Sequence, residues 1–267
     1  MAKSSCTPTV GKFVVVRCIR LLLSVLAVML LLPGALESSR LSAQQRSPYV
    51  LRATTGIAFG GAGVASYVLG ERASARMEVL TPEQIARLDA REVWAIDRLA
   101  TRQGSAFAKT VSDASLYGAV LLPSLFLLND RSRRHGDDVG LIYAQVLSLN
   151  YGLTSLAKNT TQRPRPYVYD SSISLTRKQS RDARRSFFSG HTSMTAASTF
   201  FTARVYSDFY PDAAAKPWVW TGAIVLPAVT GATRVLAGKH YLTDVLVGYA
   251  VGAGIGLLVP ELQRRKE

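Results

Sequence analysis

Six apolar stretches punctuate the chain, at residues 56–70, 117–128, 139–157, 192–205, 218–236 and 242–259. None alternates with the period of two that marks a half-buried strand, and signals for strands are nearly absent. The stretches are rich in Gly, Ala, Ser and Thr, small residues that let helices approach closely inside a bilayer, and several near the roughly 20 residues that a spanning helix needs. The pattern predicts an all-α fold, a membrane-associated bundle of about six helices. A soluble helical domain with long buried helices is the competing reading, because 117–128 is short and Gln145 and Asn150 interrupt 139–157.

Between the first two stretches, residues 82–109 set Ile85, Leu88, Val93, Ile96 and Leu99 among many charges at the spacing of an amphipathic helix. Thr81 and Glu83 flank Pro82 in the manner of a helix start. Such a helix would lie in the headgroup plane or pack on the bundle. Upstream, Lys12, Arg17 and Arg20 precede an apolar run at 21–32 and then small residues as far as Leu41-Ser42-Ala43, the layout of a secretory leader cleaved near Ala43 or of an uncleaved anchor. The expected organisation is therefore a leader or anchor at 1–43, an N-terminal helical part at 44–115, and one catalytic unit at 115–260, with no linker or repeat to suggest more.

Composition changes this picture in two ways. Both cysteines, Cys6 and Cys18, fall in or before the leader, so the remaining body has no thiol for disulfide, zinc or nucleophilic chemistry. The chain carries 32 basic and 18 acidic residues, a net charge of +14. Eight basic residues against Asp170 and Asp182 lie within 158–185, which points to an anionic partner there. Arg131, Arg133 and Arg134 in one loop and Arg264, Arg265 and Lys266 at the C-terminus favour the cytoplasmic side by the positive-inside rule. With those inside, the loops at 158–191 and 234–241 face outward, provided that 56–70 is not a simple full crossing after leader cleavage.

Two of the three histidines sit in polar contexts at the edges of apolar stretches. His240 and Asp244 stand at i and i+4, where a carboxylate on the same helix face would orient the imidazole and leave its other nitrogen bare for attack or base work. A structural hydrogen bond is the plainer account of that pair taken alone. Ser189-Gly190-His191 opens the 192–205 stretch, where a serine hydroxyl and helix-start amides suit an anion and His191 suits proton transfer. Lys158, then six residues, then Arg165-Pro166 supplies a point charge and a planar fork, and Arg234 a second fork, for the oxygens of a phosphoryl group. Arg177, Lys178, Arg181, Arg184 and Arg185 read individually as a solvated basic loop, and His135 as a surface residue.

These three segments, in this order, resemble the signature of the type 2 phosphatidic acid phosphatase superfamily: K-x6-RP, then PSGH, then SR-x5-H-x3-D. Phe188 stands where that pattern has proline, and Thr233 where it has serine; neither change removes a charged group. The resemblance spans about residues 115–260. It implies that Lys158, Arg165, Ser189, Gly190 and Arg234 bind phosphate, that His191 protonates the leaving group, and that His240, oriented by Asp244, attacks phosphorus to give a phosphohistidine. It implies no metal and no other cofactor, and a phosphorylated lipid as substrate, such as undecaprenyl pyrophosphate, phosphatidic acid, phosphatidylglycerol phosphate or phosphorylated lipid A. The expected location is the membrane of a bacterium-like cell, with the site facing the periplasm or exterior and no nucleic-acid partner. Within the same superfamily stand a soluble periplasmic acid phosphatase and a vanadium haloperoxidase; outside it stands a basic membrane protein that binds anionic lipid without catalysis.

Overall fold

The computed structural model describes residues 46–265; the leader, with Cys6 and Cys18, lies outside them, as does Lys266. Among the described residues there are six long helices: α1 (Ala53–Ala75), α3 (Ala106–Leu121), α5 (Gly136–Thr161), α7 (Gly190–Phe209), α8 (Lys216–Leu236) and α9 (Leu242–Glu261). Three short ones, α2 (Pro82–Ala86), α4 (Asp130–Arg133) and α6 (Leu175–Lys178), lie between them, and no strand is present beyond one isolated bridge between Tyr49 and Arg264. The all-α bundle read from the six apolar stretches is the observed architecture. The stretch at 117–128 is the second half of a longer element, since α3 runs on through 3-10 turns to Leu128.

α7 is the central element, with α5, α8, α9 and α3 around it. It is Ser- and Thr-rich and buried along most of its length, and most of its hydroxyls find partners, the buried Thr195 hydroxyl being an exception. Ser193 Oγ donates to Asn150 Oδ1 at 2.5 Å, Ser198 shares a hydrogen bond of 2.8 Å with Tyr143, and Thr202 Oγ1 returns to the Ser198 carbonyl at 2.7 Å. Gln145 and Asn150 thus mark where α5 meets its neighbours: Asn150 meets α7, and Gln145 accepts from Gln263 at 3.0 Å. Gly248, Gly252 and Gly256 form a stripe on α9 that lies on the backbone of α7. A Cβ at Gly252 would fall 2.0 Å from the Ser193 carbonyl oxygen, so only glycine permits this spacing.

Among the described residues, three segments are long and apolar enough to cross a membrane: Ala106–Leu128, Lys216–Leu236 and Leu242–Glu261. Their outer faces leave Tyr117, Leu121, Leu128, Trp218, Ile224, Leu246 and Leu258 exposed, a surface more apolar than water favours. α1 starts beside the C-terminal end of α9, where Val50 N–H donates to the Gln263 carbonyl, and finishes near the catalytic motifs, where Glu71 accepts from Ser155. It therefore runs the full height of the bundle. A cleaved leader leaves the new N-terminus outside, so cleavage and an outward-facing site are compatible only if α1 does not cross. The basic groups at Arg131 and Arg264 share the end opposite the motifs: Arg131 covers the Tyr210 ring and Arg264 pairs with Asp208.

Three expectations need correction. The amphipathic helix at 82–109 does not form. Thr81 caps α2 through a capping box with Gln84, but the helix stops at Ala86, and 3-10 turns and extended backbone fill the rest as far as Gln103. Its apolar residues serve different neighbours: Ile85 and Leu88 pack with Leu80, Tyr167 and Val168, Val93 packs with Ala100 and Tyr241, and Trp94, Ile96 and Leu99 are exposed. Lys178 is buried rather than solvated, lining a cavity of about 580 Å³ between α2 and residues 168–178 that holds none of the motif residues. His135 is half-buried, with its ring 6.0 Å from that of Phe209.

Candidate active site

Lys158 ends α5, Ser189 caps α7, Arg234 ends α8 and His240 precedes α9, so four helix ends converge on one face of the bundle. The loop after α5 adds Arg165. Gly190 lets Lys158 close in: a Cβ there would lie 3.3 Å from Lys158 Nζ and 3.0 Å from Thr154 Cγ2. Gly238 adopts a left-handed φ of 63° and presses on the Gln103 carbonyl, which turns the chain back between α8 and His240.

His240 is 1% exposed. Its Nδ1 lies 2.8 Å from the Ser186 carbonyl oxygen and its Nε2 lies 3.2 Å from Arg165 Nη1. A carbonyl only accepts and a guanidinium only donates, so the proton sits on Nδ1 and the unprotonated Nε2 accepts from Arg165. Burial, followed by the charges of Arg165, Lys158 and Arg234, holds the His240 pKa well below its usual value and keeps Nε2 unprotonated at neutral pH. Asp244 does not make the expected hydrogen bond. It stands 3.7 Å from His240 Nδ1, because His240 lies before the helix rather than on it. The carboxylate instead accepts from Ser186 Oγ at 2.5 Å, Tyr241 N at 3.0 Å and Arg163 Nη1 at 2.6 Å.

Arg165 is buried and almost fully committed. It donates from Nε to the Asp182 carbonyl at 2.8 Å, from Nη2 to Asp182 Oδ1 at 2.7 Å, and from Nη1 to the Lys239 carbonyl at 3.0 Å as well as to His240. Arg234, equally buried, donates to Ser112 and Asp113 at 3.2 Å. His191 Nε2 meets the same Asp113 oxygen at 2.9 Å. Burial, then the Arg234 charge, pushes the His191 pKa down to about 4 against the opposing pull of Asp113. Burial and the charge of Arg165 likewise lower Lys158 to about 7, the signature of cations crowded together. Ser189 Oγ is occupied locally with Thr192, at 2.9 Å from its hydroxyl and 3.4 Å from its amide. The departures from the signature are accommodated: Phe188 is buried, and Thr233 Oγ1 returns to the Val229 carbonyl at 2.8 Å.

The structure thus brings Lys158, Arg165, Gly190, His191, Arg234 and His240 together, with Asp244 one residue removed from its expected contact. Four participants escaped the sequence: Asp97, Asp113, Asp182 and Ser186. Each acts through a partner distant in the chain, and only Asp182, within the basic loop, had a local cue.

The sequence pattern of the PAP2 superfamily matches residues 139–267. Just under half of the chain is thus similar to that superfamily. Phospholipid phosphatase 1 from Rattus norvegicus is 27% identical over 135 residues, covering 42% of this chain and 47% of its own length. The chain thus spans about half of that relative. No solved structure matches. The PAP2 match begins after Asp97 and Asp113, so two carboxylates of the site come from sequence outside it.

Proposed function

We propose that this protein hydrolyses a phosphate ester or diphosphate of a membrane lipid, with His240 as nucleophile and no metal ion. One observation carries the reading: the unprotonated Nε2 of a buried, neutral His240 accepts from Arg165 and lies within the field of Lys158, Arg234 and His191. Nε2 attacks phosphorus as the P–O bond to the leaving group breaks, and His191, protonated once the negative charge of the bound phosphate offsets that of Arg234, gives that oxygen its proton. Lys158, Arg165 and Arg234 offset the charge on the equatorial oxygens, which is most of the catalytic task in phosphoryl transfer. Water then attacks the phosphohistidine, with His191 taking its proton, and His240 leaves as the free imidazole.

The lipid assignment draws on the exposed apolar faces of α3, α8 and α9 and on the similarity to the rat phospholipid phosphatase. We place the protein in a membrane with the site outward, the orientation that puts the basic ends around Arg131 and Arg264 in the cytoplasm. The test is phosphate release by the full chain in detergent with EDTA, on a polyprenyl diphosphate, phosphatidic acid and a soluble monoester, with His240→Ala alongside. Lipid turnover that survives EDTA and disappears in the variant supports the reading. Turnover confined to the soluble ester replaces it with a soluble-ester phosphatase, and inhibition by EDTA overturns the metal-free step.

A further inference from the structure

The nucleophile is held by a network that begins far from it. Arg163 lies between two buried carboxylates, donating from Nη2 to Asp97 Oδ2 at 2.8 Å and from Nη1 to Asp244 Oδ1 at 2.6 Å. Its guanidinium also covers the Tyr241 ring at 4.1 Å, next in sequence to His240. Asp97 receives Thr243 N–H at 2.9 Å and Thr243 Oγ1 at 2.6 Å, so it caps the start of α9 from outside that helix. Asp244 in turn fixes Ser186 through its hydroxyl, Arg163 holds Ser186 again by accepting its N–H at 3.1 Å, and the Ser186 carbonyl takes the His240 Nδ1 proton.

We propose that Arg163, clamped between Asp97 and Asp244, is a positioning residue that sets the tautomer and aim of His240 through Ser186. This rests on His240 being the nucleophile of the proposed hydrolysis. The argument is one of geometry. Asp244 is 3.7 Å from the imidazole and does not orient it directly, so the carbonyl of Ser186 does; Ser186 is held by its hydroxyl on Asp244, which the Arg163 guanidinium fixes, and by its N–H on the Arg163 backbone carbonyl. Arg163 bridges both carboxylates and places a cation between them, and each has a side-chain exposure of 0%. Removing it leaves two buried anions facing each other across Thr243, a situation that forces rearrangement. Lysine, with one nitrogen, cannot reach both oxygens in the plane that the fork provides. Asp97 also ties down the 97–105 segment, where Ala100 packs on Tyr241 and Ser105 N–H bonds the Leu236 carbonyl, so the loop carrying His240 is gripped along its length.

The test uses the full chain in detergent with Arg163→Ala, Arg163→Lys and Asp97→Asn, reading kcat, KM, inhibition by vanadate as a phosphate mimic, and the 15N shifts of the imidazoles. Three histidines make the labelled spectrum assignable with a His240→Ala control. The expected result is a kcat lowered roughly 10- to 100-fold in each variant, as for other outer-shell partners, with KM and vanadate inhibition within about threefold, since none of these residues lies in the phosphate cradle. Added guanidinium restores part of the activity of Arg163→Ala, and His240 loses its single Nδ1–H tautomer. A kcat within about twofold of the parent, or kcat and vanadate affinity falling in parallel with the melting temperature, overturns the proposal. The imidazole spectrum reads the clamp even if no phosphate ester is turned over, so failure of the hydrolysis reading and failure of the clamp are separate results.

Discussion

Arg165→Lys tests whether the fork, rather than the charge, carries catalysis. Of the five N–H groups of Arg165, four are engaged: with the Asp182 carbonyl, Asp182 Oδ1, the Lys239 carbonyl and His240 Nε2. When Nε2 turns to phosphorus it releases its Arg165 N–H, which joins the one uncommitted N–H as a donor pair for a phosphoryl oxygen. The remaining bonds fix the fork in advance, so no reorganisation is needed at the moment of reaction. A lysine keeps the charge but offers one nitrogen; it reaches either the Asp182 side or the Lys239 side. Losing a preorganised donor to developing negative charge typically costs about 10²- to 10³-fold, or roughly 2.7–4 kcal/mol. The expected outcome is a fall of that size in kcat/KM, shared by kcat, with a smaller drop in melting temperature from the lost Lys239 anchor. The assay is initial-rate phosphate release over a range of substrate in detergent, with thermal unfolding on the same preparation. A loss under about tenfold with unfolding unchanged, or a rise in KM alone, would refute the argument, because charge without geometry would then suffice.

His191→Ala should reduce kcat/KM for an alkyl phosphate by about 10²–10⁴-fold but leave kcat/KM for p-nitrophenyl phosphate within about tenfold, since a good leaving group needs no proton and kcat/KM does not include the later attack of water; equal losses on both would assign His191 to binding. In pH profiles of kcat/KM, the acid limb from His240 should lie well below pH 6.5, because protonation of Nε2 is what ends attack and burial with Arg165 and Lys158 resists it. Lys158→Met removes one of those charges and should move the limb to higher pH; movement to lower pH would contradict the assignment. Gly252→Ala places a Cβ 2.0 Å from the Ser193 carbonyl and should destabilise the fold by about 1–3 kcal/mol or more, while Gly254→Ala, with open space around it, should leave the melting temperature unchanged.

What was legible from sequence is what depends on local pattern. The small-residue stretches predicted the six long helices because composition there matches the packing need directly, as the Gly248, Gly252 and Gly256 stripe against α7 shows. The motif residues were legible because Lys158, Ser189, Arg234 and His240 sit at or beside helix ends, where short-range spacing determines position. The segment at 82–109 misled because its period arose from separate clusters: Ile85 and Leu88 belong to one, Val93 to another, and Asp97 turns inward to Arg163 and Thr243 instead of joining a polar face. Periodicity records which residues are apolar; it does not record which neighbour each one covers.

The pairing of His240 with Asp244 shows how sequence spacing can point to the wrong bond. Spacing of i and i+4 brings two side chains together only when both are helical, and α9 begins at Leu242, capped by Asp244 itself through the Tyr241 amide. The cap uses the oxygen that the histidine would have needed. His240 therefore turns to the Ser186 carbonyl at 2.8 Å, and the carboxylate reaches the nucleophile only through Ser186. A helix cap and a catalytic carboxylate are the same group here, so the start of α9 and the aim of Nε2 are set together, and a change that frays the first turn of α9 disturbs the proposed nucleophile without touching it. Asp97, bonded to the Thr243 amide in that same turn, places a residue outside the PAP2 match in control of both.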